Sequence, residues 1–269
     1  MNSMDHVDRT ARPRLLVSVR TPTEVFAALE GGAEILDVKE PALGSLGRAR
    51  ASVVRAARAA APQAVAVSAA LGDSAGPGHL GGQTWRLEAA ALPQRAARET
   101  PVAALLRLVA AGAGLLKVGT ARMDTGSVDK TLRQLVEACS EVAEEGREVR
   151  LVAVAFADDR EGAVGPAELA DVAARAGCSG AMLDTLSKGH SILALLGDPF
   201  LRRWVAGVRD RGLLCGLAGS LSLGDVPSAA ALAPDVIGLR GAVCRGGRTG
   251  HLSGELVRAA RRALEGVEQ

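Results

Sequence analysis

From Leu15 onward, short continuous apolar runs alternate with longer stretches whose apolar residues recur at helical spacing. The runs are LLVSV (15–19), EILDV (34–38), AVAVSAAL (64–71), LLKVG (115–119), VRLVAVAF (149–156), GAMLD (180–184), LLCGLAG (213–219) and DVIGLRG (235–241). The intervening patterns predict helices over about 22–31, 49–61, 101–112, 127–145 and 166–176, then 190–197 with 199–211, 222–232 and 252–265. Strands that read as unbroken apolar runs suit a parallel sheet covered on both faces. Gly or Ala-Gly closes several helices just before the next strand, as in LEGGAEI and ARAGCSG, where a left-handed residue ends the helix. Eight such β–α units in one chain predict a (β/α)8 TIM barrel of the α/β class. A doubly wound open sheet would place a glycine-rich turn after the first strand, and SVRTPTEVF contains no glycine.

The pattern predicts a single barrel domain over 15–269, preceded by a flexible polar tail at 1–14. Residues 72–100 break the rhythm, as a glycine-rich insertion between the third strand and its helix. Long loops at that end of a barrel serve as active-site lids or as plain insertions.

Composition narrows the function classes. The 269 residues carry 32 basic and 30 acidic side chains, a net charge of +2, and only 2% aromatics with no Tyr. Neither a basic footprint nor a base-stacking platform is present, so nucleic acid is not an expected partner. No apolar run approaches the roughly twenty residues that span a bilayer, and the polar N-terminus lacks the core of a signal peptide. No membrane partner is expected. Cys139, Cys178, Cys215 and Cys244 are far apart and form no CxxC pair, which reads as reduced thiols in a cytoplasmic protein. The histidines cluster neither with them nor with each other, so no metal is expected. No cofactor motif stands out, and the Ala- and Leu-rich helices are compatible with a homo-oligomer.

The chemistry concentrates at the strand ends, which form the active-site rim of a barrel. Asp37 and Lys39 are two residues apart and share one face, while Val38 points to the other. Lys117 is embedded in the apolar fourth strand, and Asp184 ends the sixth with Lys188 close behind. Arg20, Ser68, Asp73, Asp158 and Asp159 also fall at or near strand ends. Lysines converging in a desolvated pocket lower each other's pKa, giving an amine that can form a Schiff base or act as a base. The competing structural reading is Lys–Asp ion pairs that close the barrel. Three lysines and two aspartates on one rim favour catalysis. After the seventh and eighth strands, GLAGSLS and IGLRGAVCRGG place Gly219, Ser220, Arg240 and Gly241 where barrels bind phosphate. Together these residues suggest lysine chemistry on a phosphorylated carbonyl compound.

LEGGAEILDVKEPALGSLG, LLKVGTA, GAMLDTLSKGHSI, CGLAGSLS and PDVIGLRGAVCRGGRTGHLS resemble the (5-formylfuran-3-yl)methyl phosphate synthase family, also called 4-(hydroxymethyl)-2-furancarboxaldehyde-phosphate synthase. The resemblance covers most of residues 15–265, and DVKEPALGSLG and LDTLSKG are its specific parts. It implies a carbon–oxygen lyase acting on phosphates, of the class I aldolase type. Such an enzyme joins two molecules of glyceraldehyde 3-phosphate into a phosphorylated furan aldehyde, with loss of phosphate and water, for a methanofuran-type cofactor or a furan metabolite. By position it makes Lys39 the Schiff-base lysine and Lys117 the proton acceptor, with Asp37, Asp184 and Lys188 as further charged site residues. It implies no metal. The expanded 72–100 loop departs from the family pattern. The alternatives are another class I aldolase or isomerase on a phosphorylated carbonyl compound, or a phosphate-ester-binding barrel without turnover.

Overall fold

The computed structural model describes residues 12–73, 99–162, 164–187 and 189–266. Eight parallel strands close into a barrel in chain order, each paired with the next and β8 with β1. The units are β1 Arg14–Val19 with α1 Pro22–Glu30, β2 Ile35–Val38 with α2 Ala51–Ala60, and β3 Ala66–Ala70 with α3 Pro101–Ala110. They continue as β4 Leu115–Gly119 with α4 Thr125–Glu144, and β5 Arg150–Phe156 with α5 Pro166–Ala176. Strand β6 Gly180–Asp184 is followed by α6 Ile192–Leu196 and α7 Asp198–Asp210. Strand β7 Leu214–Leu217 is followed by α8 Val226–Ala230, and β8 Val236–Leu239 by α9 Gly254–Glu265. The expected (β/α)8 barrel is the fold.

Local chemistry starts the helices where the pattern expects them. Thr21 and Thr100 accept from the amides of Glu24 and Ala103, each with Pro at the next position. These are side-chain caps followed by a residue already fixed for the first helical turn. Three features differ from the sequence reading. The expected helix over 222–232 splits, because a Ser222–Asp225 capping box closes a tight turn at Leu223–Asp225 before α8 begins. A small antiparallel hairpin, β9 Cys244–Arg245 with β10 His251–Leu252, stands between β8 and α9. Strand β1 begins at Arg14, and Arg12 pairs with Glu34 at 2.9 Å, inside the stretch expected as tail. Most of the 72–100 insertion, and Lys188, lie outside the described residues.

Strand alternation sorts the side chains into two environments. Outward residues such as Val17, Val38, Leu116 and Leu183 pack under the helices in the large outer core. Inside the barrel, Leu16, Ile35 and Val236 form one apolar layer. Leu115, Val152, Val154, Phe156, Met182 and Ala218 belong to a second interior cluster. Gly216 and Gly238 leave room for Met182, since a Cβ on either would come within 2.9 or 3.0 Å of its side chain. The same inward positions also carry Ser18, Asp37 and Ser68, which stand side by side in register across β1, β2 and β3. Among the described residues, no helix is long and apolar enough to cross a membrane.

Candidate active site

A cavity of about 470 Å³ opens at the C-terminal ends of the strands. Lys39, Lys117, Asp184, Gly219, Ser220, Arg240 and Gly241, all expected from the sequence, line it. Ser18, Ser45 and Arg248 also line it, without having been given a role. Asp37 lies beneath its floor, fully buried.

The deepest part is a polar knot in an apolar barrel. Lys117 Nζ stands 2.8 Å from Asp37 Oδ2. Ser18 Oγ donates to Oδ2 at 2.9 Å and Ser68 Oγ donates to Oδ1 at 3.1 Å. Burial alone pushes the Asp37 pKa up. The charges of Lys117 and Lys39 and the hydrogen bonds from Lys117 and Ser18 more than reverse it, holding this carboxyl below its ordinary value. A buried carboxylate with three donors is satisfied, and so it can exist at the centre of the barrel.

Lys39 sits one residue beyond the end of β2, nearer the mouth. Its Nζ donates to the Ser45 carbonyl at 2.8 Å and lies 4.0 Å from Asp184 Oδ2. Asp184 Oδ1 accepts from the Thr185 amide at 2.7 Å. Thus the two lysines do not face one another alone, because each is set against a carboxylate. The 40–47 loop that carries Ser45 is clamped from several sides. Asp73 accepts from the amides of Ser45 and Leu46 at 3.0 and 2.5 Å, and Ser45 Oγ donates to the Thr185 carbonyl at 2.8 Å. Arg248 donates to the carbonyls of Pro41 and Gly44. Gly44 has φ +136°, and a Cβ there would collide with the Asp73 carboxylate, so only glycine fits. Burial is the main reason that the Asp73 pKa is raised, with Asp184 adding to it against the amide hydrogen bonds.

On the opposite wall, Gly219 and Ser220 both adopt positive φ, at +99° and +53°. Ser220 Oγ is 3.1 Å from Thr185 Oγ1. Among the described residues, the amides of Gly219, Ser220, Gly241 and Ala242 meet no protein acceptor. Arg240 Nη1 donates to Ser18 O and Glu24 Oε2, its Nη2 to Glu24 Oε1 and Gly250 O, and its Nε to Arg248 O. All five donors of the guanidinium meet acceptors inside the protein. Arg240 closes β8 onto β1 and α1 and holds the hairpin tip.

Lys188 falls outside the described residues, but the segment leading to it is fixed. The amides of Leu186 and Ser187 donate to Asp158 at 2.6 and 2.7 Å. Burial raises the Asp158 pKa, but the hydrogen bonds from Ser187 and Leu186 outweigh it and leave the group below its ordinary value. Among the described residues, no cluster of three or more His, Cys, Asp or Glu could hold a metal ion.

The family model for 4-HFC-P synthase matches residues 15–261. A (5-formylfuran-3-yl)methyl phosphate synthase of Methanopyrus kandleri is 35% identical over 258 residues, covering 94% of this chain and 99% of its own. The protein of the same name from Methanococcus maripaludis is 34% identical over 248 residues, covering 91% and 96%. Among solved structures, 3-hexulose-6-phosphate synthase from Salmonella typhimurium superposes with a TM-score of 0.58 at 17% identity, covering 95% and 100%, a likeness of fold. With its barrel, its lysine-lined cavity and these relatives, the chain belongs to the 4-HFC-P synthase family, a family of enzymes.

Proposed function

We propose that this enzyme condenses two molecules of glyceraldehyde 3-phosphate into (5-formylfuran-3-yl)methyl phosphate through a Schiff base on Lys39. The observation that carries the reading is the position of Lys39. It stands on the cavity wall with its ammonium held by a loop carbonyl and facing Asp184 at 4.0 Å. The second lysine lies deeper, locked on Asp37.

In this reading the Lys39 amine adds to the aldehyde carbon of one triose phosphate, and water leaves to give the iminium. The iminium draws electrons from the adjacent carbon, whose proton passes to Lys117. Lys117 can take that proton only after giving one up, and its contact with Asp37, which Ser18 and Ser68 also hold, keeps the exchange within a hydrogen-bonded network. The electron pair that remains expels phosphate from the next carbon, with the C–O bonding pair leaving on the phosphate. The second triose phosphate moves a hydrogen from its second carbon to its first and so becomes the ketone isomer, and the terminal carbon of the enol left on the first triose attacks that ketone carbon, which places the phosphomethyl group on the 3-position of the ring. Ring closure, loss of water and hydrolysis of the imine release the furan and return Lys39. One phosphate and two waters leave in all, and the aromatic ring supplies driving force. Asp184 and Lys188 serve the proton transfers around the imine. The retained phosphate rests on the amides of Gly219, Ser220 and Gly241. A cytoplasmic setting suits four cysteines that are buried and unbridged.

The test is to incubate purified protein with glyceraldehyde 3-phosphate, follow near-ultraviolet absorbance and identify the product by mass. A phosphorylated furan aldehyde is expected. A simple aldol product without the chromophore, or no turnover, would overturn the reading.

A further inference from the structure

We infer that Arg248, at the tip of the β9–β10 hairpin, binds a phosphate group of the substrate at the Lys39 end of the cavity. The inference deepens the proposed function and rests on its phosphorylated substrate. It begins with a contrast between two arginines on the same wall. Arg240, the residue that sequence position favours, has every donor occupied and a bidentate carboxylate partner in Glu24. Arg248 also lines the cavity, is partly buried, and has no carboxylate within ion-pair distance among the described residues. Its Nη2 reaches across the mouth to the carbonyls of Pro41 and Gly44. Among the described residues no acceptor meets its Nε or Nη1. Nε–H lies on the Nη2 side and Nη1 on the other side of the planar guanidinium, so each offers a separate charged donor, and each can give one charge-assisted hydrogen bond to a phosphate oxygen.

The scaffold fixes this side chain in place. Gly246 and Gly247, at φ +82° and +78°, turn the hairpin, and a Cβ on Gly250 would collide with the Arg245 carbonyl. Arg240 holds the carbonyls of Arg248 and Gly250, and Arg20 holds that of Thr249 at 2.6 Å. A three-residue stretch pinned by two arginines is rigid support for a binding group. The Arg248 backbone also lies against Gly241, whose Cβ position is 3.9 Å from Arg248 N. The side chain therefore runs from the amide-rich wall to the loop that carries Ser45, the acceptor of Lys39. Burial lowers its pKa, with Arg240 adding to that effect and Asp184 and Asp73 opposing it. A cation whose charged form is disfavoured by burial gains from an arriving dianion. Two phosphorylated trioses bring two such groups. The amides of the β7 and β8 loops provide for one, and Arg248 provides for the other.

The test uses full-length protein, its Arg248→Lys and Arg248→Gln variants, and three probes. Glycerol 3-phosphate and inorganic phosphate are titrated by calorimetry, and unphosphorylated glyceraldehyde is trapped on the enzyme with borohydride. The expected result is that Arg248→Gln weakens glycerol 3-phosphate about tenfold or more, the loss of a charge-assisted bond. Arg248→Lys recovers part of that loss, and glyceraldehyde trapping falls by less than the phosphate affinity. Equal affinity of Arg248→Gln and the parent for glycerol 3-phosphate would overturn the inference and leave the phosphorylated substrate standing. A parallel loss of glyceraldehyde trapping would also overturn it, because the side chain would then act only by strapping the 40–47 loop. If the parent bound neither phosphate probe, the inference and the reading beneath it would fall together.

Discussion

The two lysine–aspartate pairs of the cavity are built from the same residue types and behave differently. Lys117 and Asp37 meet at 2.8 Å with 2% and 0% exposure, and two serine hydroxyls complete the carboxylate. Lys39 and Asp184 are 4.0 Å apart and nearer the mouth, with 9% and 4% exposure, and the lysine leans on a loop carbonyl instead. A tight, fully satisfied pair in a dry barrel is strongly coupled to folding, because removing either partner strands a buried charge. A looser pair leaves its lysine able to exchange a carboxylate for a carbonyl compound. In the proposed reaction the tight pair on the floor exchanges the substrate proton and the looser pair on the wall makes the bond.

Removing Lys39 is the largest expected break in that comparison. Lys39→Ala should lower turnover at least about 1,000-fold, measured as furan product formed, while its denaturation midpoint moves far less than that of Asp37→Ala. Asp37→Ala reverses the pattern. It should destabilise the fold by about 3–5 kcal/mol in urea or guanidinium unfolding, because Lys117 is left buried without its partner, and activity should fall as well. Asp184→Asn keeps shape and removes charge. Its turnover should fall about 100-fold or more, with a stability change smaller than that of Asp37→Ala. Ser68→Ala trims one bond from the deep carboxylate and should cost about 1 kcal/mol. The pH dependence sharpens the contrast further. The folded pKa of Asp37 is depressed, so its contribution is complete at neutral pH. It is lost as pH falls below about 4, through the ordinary and then the folded value. The stability gap between the parent and Asp37→Ala should therefore narrow in acid, as read by circular dichroism.

Much of the barrel was legible, because parallel strands buried on both faces and glycine-closed helices leave a plain pattern. Asp37 and Lys39 were readable as one-sided charges by alternation alone, and Val38 does pack outward. The partners were not readable. Ser18 and Ser68 look like ordinary strand residues until the β1–β2–β3 register sets them beside Asp37. The two arginines show the same limit. Arg240 stands at the expected place after β8, but Glu24, 216 positions away in sequence, occupies it. Arg248 lies in a glycine-rich turn whose hairpin has no apolar period to announce it, and its guanidinium reaches the cavity only through the fold.

The central claim is that Lys39, and not Lys117, makes the covalent bond. Borohydride reduction of the enzyme during reaction with glyceraldehyde 3-phosphate, followed by peptide mapping, tests it most directly. The account predicts a reduced triose adduct on Lys39, absent from Lys39→Ala and retained when Ser68 is changed to Ala. An adduct on Lys117, or turnover with no adduct on any lysine, would contradict it.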